Sequence, residues 1–310
     1  MKIFITGGAG FVGSNLVEKV LNKNEIVIYD NLSTGRIKFV QKYFNNPKVK
    51  IIRSDIKEFN ELKKYMEGTD IVFHLQANAD VRNGINNNFK DIEENILCTY
   101  NVLEAMRINK VPKIIFASSA AIYGEPEIFP TDEKYPVIQT SIYGASKISC
   151  EAIIQAFGEY YGIEYEIFRF TAFTGNNYSH GVIFDLVKKL LNNPKELEIL
   201  GDGKQNKSYI YVDDGIEAML LDKDNGIYNI GSDETITVKE IADIIVEEMN
   251  LINVEYKFSG EKRGWIGDSP FVLLDTSKIK GYGWKPKICI EEAIIKTVKY
   301  LLNNKDLFYK

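Results

Sequence analysis

Apolar strand-like runs alternate with amphipathic stretches through the first half of the chain, and few folds accept that order. Lys2–Thr6, Glu25–Tyr29, Val49–Arg53, Asp70–His74, Lys113–Ser118 and Glu164–Phe170 are dense in Ile, Val, Phe and Tyr and are expected to be strands. Ile71-Val72-Phe73 and Ile114-Ile115-Phe116 are apolar at every position, which suits strands covered on both faces. Between the strands, Phe11–Asn22, Phe59–Glu67, Lys90–Asn109 and Tyr143–Tyr161 carry helical patterns. Strands joined through helices pair in parallel with right-handed crossovers, so the expected fold class is α/β with a doubly wound parallel sheet.

Beyond about residue 170 the rhythm changes. Ser179–Leu191, Asp213–Leu221, Val238–Met249 and Glu291–Leu302 read as helices, and Ser208–Val212, Ile227–Ile230 and Val254–Phe258 as short strands. A polar turn follows Leu200, and Gly260–Asp268 is a loop rich in glycine and charge. The expected organisation is a first domain over residues 1–170 and a smaller C-terminal α/β lobe over 171–310, with the chain crossing between them. A chain of 310 residues can bury a full core without staples. Its net charge of −5 argues against nucleic acid or an anionic membrane as partner. Cys98, Cys150 and Cys289 are too few and too irregular for a disulfide framework, and with only His74 and His180 no metal site is expected. No apolar run is long enough to span a bilayer, and glycines interrupt the N-terminus as they do not in a signal peptide. The expected class is a soluble, reduced, cytoplasmic enzyme.

Gly7, Gly10 and Gly13 form G-x-x-G-x-x-G directly after the first strand, and Gly10, Phe11, Val12 and Gly13 open the first helix. Glycine allows the tight turn and lets backbone N–H groups approach a pyrophosphate at a helix N-terminus. Asp30 ends the second strand, where a carboxylate accepts hydrogen bonds from an adenosine ribose and repels a 2′-phosphate. The cofactor expected is therefore NAD, although Arg36 works against that choice. Asn31, Ser33, Thr34 and Gly35 continue the same loop. Asp55 and Ile56 follow the third strand, where a carboxylate reaches an adenine amino group. Leu75, Gln76 and Ala77 follow the fourth, Ser118 and Phe170 lie at the ends of the fifth and sixth, and Asn95 is placed to brace the loop.

Tyr143 and Lys147 stand four residues apart on one helical face. A phenol titrating near 10 is a poor base, but an adjacent ammonium and a nicotinamide charge both favour the phenolate. Lys147 is also placed to hold the nicotinamide ribose. Ser119, at the C-terminal end of the fifth strand where open α/β sheets bind ligands, is placed to relay a substrate proton. Ser119, Tyr143 and Lys147 are the expected catalytic set.

The glycine motif, Asp30-Asn-Leu-Ser-Thr-Gly35, Ser119-x-x-x-Tyr-Gly, Tyr143-x-x-x-Lys147, Gly201-Asp-Gly-Lys-Gln, Tyr211-Val-Asp-Asp and Trp284-Lys-Pro together resemble the extended short-chain dehydrogenases/reductases. Within that family the likeness is to the nucleotide-sugar epimerases of UDP-glucose 4-epimerase type, and it covers essentially the whole chain. The resemblance implies a Rossmann sheet, a tightly held NAD and a C-terminal lobe for a sugar nucleotide. It also implies a homodimer through the helices Lys90–Asn109 and Tyr143–Tyr161. The implied reaction is epimerisation at C4 of a UDP-hexose or UDP-N-acetylhexosamine through a 4-keto sugar.

Departures from the family pattern fall mostly on the substrate side. Related 4,6-dehydratases carry an Asp-Glu pair where this chain has Ala120-Ala121, and two alanines cannot move protons. Ala172 stands where the family has an asparagine, and Lys207 where it has an arginine fork. Arg263 is then the expected diphosphate clamp. His180 is a candidate acid, but the favoured reading is a cap on the following helix or a nucleotide-pocket residue. The position of an aromatic gate against N-acetyl sugars falls near Val272, whose smaller side chain leaves room for an acetamido group. The alternatives are a sugar-nucleotide dehydrogenase, reductase or decarboxylase on the same scaffold, and a non-catalytic NAD-sensing binder.

Overall fold

The computed structural model describes residues 1–78 and 81–309. Seven strands form its main sheet. They are β1 (Lys2–Thr6), β2 (Glu25–Asp30), β3 (Val49–Arg53), β4 (Ile71–His74), β5 (Lys113–Ser119), β6 (Glu164–Phe170) and the edge strand Gly226–Ile230. Reading from that edge the order is Gly226–Ile230, β6, β5, β4, β1, β2, β3. β1 pairs in parallel with β2 and β4, as β2 does with β3 and β4 with β5. The order reverses between β1 and β4, so the connections leaving these two neighbours run to opposite sides and open a crevice at their C-terminal ends, where such sheets bind ligands. This is a Rossmann-like α/β fold.

The sheet holds because both its faces are apolar. Phe4, Val72, Ile114 and Phe116 belong to a continuous buried cluster with Val102, Leu103, Met106, Cys150 and Ile154 from the helices. The helix expected over Lys90–Asn109 is three pieces: an α turn Asn88–Asp91, a π-helical segment Ile92–Leu97 and an α-helix Cys98–Asn109. The π segment widens the turn and leaves Asn95 buried. The helix Ile142–Tyr161 begins at Ser141, whose hydroxyl accepts from Gly144 N–H at 3.0 Å, and ends at Gly162 with φ +69°.

The chain divides into two compact units, one of residues 1–122, 141–169 and 222–228, the other of 123–140, 170–221 and 229–310. The second unit has its own core, built on the helices Val182–Asn192, Val212–Leu220, Val238–Glu248 and Ile290–Asn303. Buried Trp284 donates its indole N–H to the Asp214 carbonyl at 2.9 Å, and the Asp214 carboxylate accepts the N–H groups of Lys287 and Ile288. Thr237 and Glu240 cap the helix Val238–Glu248 reciprocally. Among the described residues no helix is long and apolar enough to cross a membrane, and no cluster of side chains is suited to a metal ion.

Candidate active site

The turn after β1 is tight because three glycines are. Gly7 adopts φ +66°, and a Cβ there would lie 2.9 Å from Gln76 N. A Cβ on Gly13 would lie 2.3 Å from Gly7 O, so the first helix runs closer to the strand end than any side chain permits. That helix, Phe11–Val20, has Gly10 as its N-cap with no side-chain cap and no acid in its first turn. Its end thus presents first-turn amides and the positive end of its dipole.

Asp30 closes β2 beside this turn. Its carboxylate accepts the N–H of Ala9 at 2.9 Å and of Leu32 at 2.8 Å, while burial pushes its pKa up. A carboxylate has about four lone-pair sites, so acceptor capacity remains for a ribose diol. Gly35 is needed there, since a Cβ would lie 2.6 Å from Asp30 Oδ1. Ser33 and Thr34 are exposed on the loop, and Asn31 donates to Asp55 Oδ2 at 2.8 Å. Ile56 is core, Leu75 and Ala77 are half-buried, and Gln76 donates from Nε2 to Glu94 O at 3.0 Å. The cradle that would clash with any Cβ, the uncapped helix end and the carboxylate with spare acceptors fit a dinucleotide: Gly7, Gly10, Val12 and Gly13 for its pyrophosphate, Asp30 for its ribose.

Ser119, Tyr143 and Lys147 come together in the first unit. The Ser119 hydroxyl is the polar neighbour that lowers the Tyr143 phenol's pKa, and Lys147 Nζ lies 5.9 Å from the Tyr143 ring centroid. Lys147 donates to Ala117 O at 2.8 Å and sits over the Phe116 ring. Burial pushes Lys147 down to about 8, against the opposing pull of Cys150, Glu151 and Asp91. Burial also pushes Tyr143 up to about 12; Ser119 lowers it, and Asp91 and Cys150 raise it further. Burial is the largest influence on the phenol, and the Lys147 ammonium donates to a backbone carbonyl.

Other expected residues have structural partners. Ser118 donates to Glu151 Oε1 at 2.5 Å, and Glu151 is locked with Arg169 in a buried ion pair, Nη2 to Oε2 2.7 Å. Asn95 Oδ1 accepts the Asn78 N–H at 2.8 Å, and its amide donates to Ser146 Oγ at 2.8 Å. Ser146 in turn donates to Tyr143 O at 2.7 Å. Asn95 thus ties the loop after β4 to the helical turn that carries Tyr143. Ser146 and Asn78 were not anticipated, because a serine in a helix and an asparagine in a loop carry no signal without their partners.

In the second unit, Phe170 is buried against Phe173, and Ala172 begins a short strand with its side chain exposed. Lys207 pairs with Asp268 Oδ1 at 2.5 Å, and Arg263 with Glu125 Oε1 at 2.5 Å. The expected diphosphate cations therefore already have carboxylate partners. His180 does not cap the next helix: Gly181, at φ +105°, is its N-cap and no side chain caps it. The exposed His180 ring stacks instead on Tyr178, 6.4 Å between centroids.

Residues 3–231 match the model of the NAD dependent epimerase/dehydratase family. The chain belongs to this family. It is similar to a putative UDP-glucose 4-epimerase of Methanocaldococcus jannaschii, 37% identical over 97% of this chain and 99% of the relative. The crystal structure of a Thermus thermophilus UDP-glucose 4-epimerase in complex with NAD superposes with a TM-score of 0.88 at 30% identity, covering 98% of this chain and 100% of that one. The UDP-N-acetylglucosamine 4-epimerase of Methanobrevibacter ruminantium, solved with UDP-N-acetylmuramic acid, gives a TM-score of 0.88 at 29% identity over 97% and 98%. As an epimerase/dehydratase-family enzyme, the protein uses NAD, which agrees with the acidic end of β2.

Proposed function

We propose that this enzyme epimerises a UDP-hexose or UDP-N-acetylhexosamine at C4. The observation that carries the reading is the gathering of Ser119 against the Tyr143 phenol, with Lys147 on the same helix, in the unit that also holds the dinucleotide cradle. Bound NAD supplies a two-electron acceptor for the hydrogen at C4, returned later to the other face of the sugar, and a positive charge that favours phenolate at Tyr143. The chain's own task is the proton. Tyr143 Oη accepts it from the 4-hydroxyl, directly or through Ser119 Oγ, and gives it back when the keto sugar has turned about its diphosphate link. Lys147 holds the ribose of the cofactor. Ala120 and Ala121 offer no acid or base for losing water, which favours epimerisation over dehydration.

Lys207 and Arg263 are the diphosphate ligands in this reading, each exchanging a carboxylate for phosphate when substrate binds. Val272, in the short strand Phe271–Val272, leaves room for an acetamido group. The working assembly is a homodimer through the helices Cys98–Asn109 and Ile142–Tyr161. The test is incubation of the purified protein with UDP-galactose and with UDP-N-acetylgalactosamine, no cofactor added. Both are expected to give their C4 epimers at comparable rates. A requirement for added cofactor, NADH release or carbon dioxide release would favour the dehydrogenase or decarboxylase alternatives.

A further inference from the structure

A hydrogen-bonded chain crosses the interior of the first unit, and the proton transfer above makes no use of it. Thr6 Oγ1, at the end of β1, receives the backbone N–H groups of Leu75 at 3.2 Å and Gln76 at 3.3 Å. It lies 2.7 Å from His74 Nδ1, and His74 Nε2 lies 2.9 Å from Thr99 Oγ1. Thr99 donates to Cys150 Sγ at 3.3 Å, and the thiol donates to Asn95 O at 3.4 Å. Thr6, His74, Thr99, Cys150 and Asn95 are all buried.

Donor and acceptor capacity leaves one arrangement that satisfies every member. Thr6 Oγ1 already accepts two N–H groups, so its own proton goes to His74 Nδ1. The ring proton then sits on Nε2 and goes to Thr99, whose hydroxyl proton goes to Cys150. A protonated ring would carry donors on both nitrogens and confront Thr6 with a third. Burial and the charge of Lys147 keep the ring neutral, with a pKa pushed down to about 3. Both ends of the chain meet working parts. The Gln76 backbone packs on Gly7, and Cys150 lies one helical turn beyond Lys147. Asn95, whose carbonyl ends the chain, reaches Tyr143 O through Ser146.

We propose that His74 and Thr99 are positioning residues, locking the cofactor turn at Gly7 and Gln76 in register with the helix that carries Tyr143 and Lys147. The proposal rests on the function proposed above in treating that helix as catalytic. Chemistry that depends on placing a phenol against a bound ring is sensitive to small shifts, so a fixed register is where such a chain acts.

Because His74 and His180 are the only histidines, ¹⁵N-histidine labelling of the full-length protein gives separable ring signals. His74 is expected as the neutral Nε2–H tautomer at neutral pH, with a slowly exchanging Nε2 proton. Thr99→Val removes the hydroxyl at nearly constant volume. It is expected to speed that exchange and to lower kcat on UDP-galactose about tenfold with KM changed less than about twofold, and Thr99→Ser is expected to restore both. An Nδ1–H or protonated ring, a Thr99→Val enzyme with unchanged kcat, or a serine variant that restores nothing would overturn the proposal. If the wild-type protein fails to turn over UDP-galactose, the proposed function fails, and the tautomer and exchange rates still decide whether the chain exists.

Discussion

Tyr143 is a phenol that its own protein makes harder to ionise, since burial holds its pKa near 12 and Lys147 is drawn to a carbonyl. Its hydroxyl is nonetheless the group expected to carry the proton. Tyr143→Phe is expected to lower kcat about 10²–10³-fold while bound nucleotide is retained, because the glycine turn and Lys147 are untouched. Absorbance of the purified variant and a rate assay check both halves; unchanged turnover would remove Tyr143 from the mechanism. His74 bears on stability. Its folded pKa of about 3 lies below the ordinary 6.5, so the unfolded chain takes up a proton that the folded one refuses. Stability from this group is full above pH 6.5 and is lost as pH falls below it, about 2 kcal/mol between pH 7.5 and 5. Urea titrations across that range measure the slope. The proposed catalytic set was legible in the sequence because Tyr-x-x-x-Lys and a serine at a strand end are local patterns. The buried chain through His74 was not, since its members lie on separate elements and meet only after the sheet has formed.

At the level of elements, the glycine turn joins folding to cofactor binding. Gly13→Ala would place a Cβ within 2.3 Å of Gly7 O and 2.7 Å of Gly8 Cα, both backbone atoms that cannot turn aside. The first helix must then move off the strand end, at a cost of about 1–3 kcal/mol. The expected result is a folded protein of lower urea midpoint that purifies without nucleotide; full retention of nucleotide would show that close packing is not what the glycine supplies. Strands of the first half were readable from composition because parallel, doubly covered strands need apolar side chains at every position. The π-helical segment Ile92–Leu97 was not, because its sequence is compatible with an ordinary helix and its extra residue serves the burial of Asn95. Arg263 and Lys207 were recognised as cations, while their partners Glu125 and Asp268 are distant in sequence and showed no pattern.

For the whole molecule, exposed Tyr100, Ile108 and Tyr161 place apolar side chains on the helices of the proposed dimer, and exposed Leu97 adjoins them as the N-cap of the helix Cys98–Asn109. Light scattering is expected to give twice the chain mass of 35.3 kDa, and Leu97→Glu to give the single-chain mass; a wild-type monomer would refute the assembly. The central claim is that the hydrogen removed from C4 is stored within the protein and returned to the same sugar. The direct measurement is proton NMR of the product formed from UDP-galactose deuterated at C4, in ordinary water with no cofactor added. The account predicts UDP-glucose that keeps its deuterium at C4. Product with protium at C4, or no product until nucleotide is supplied, would contradict it.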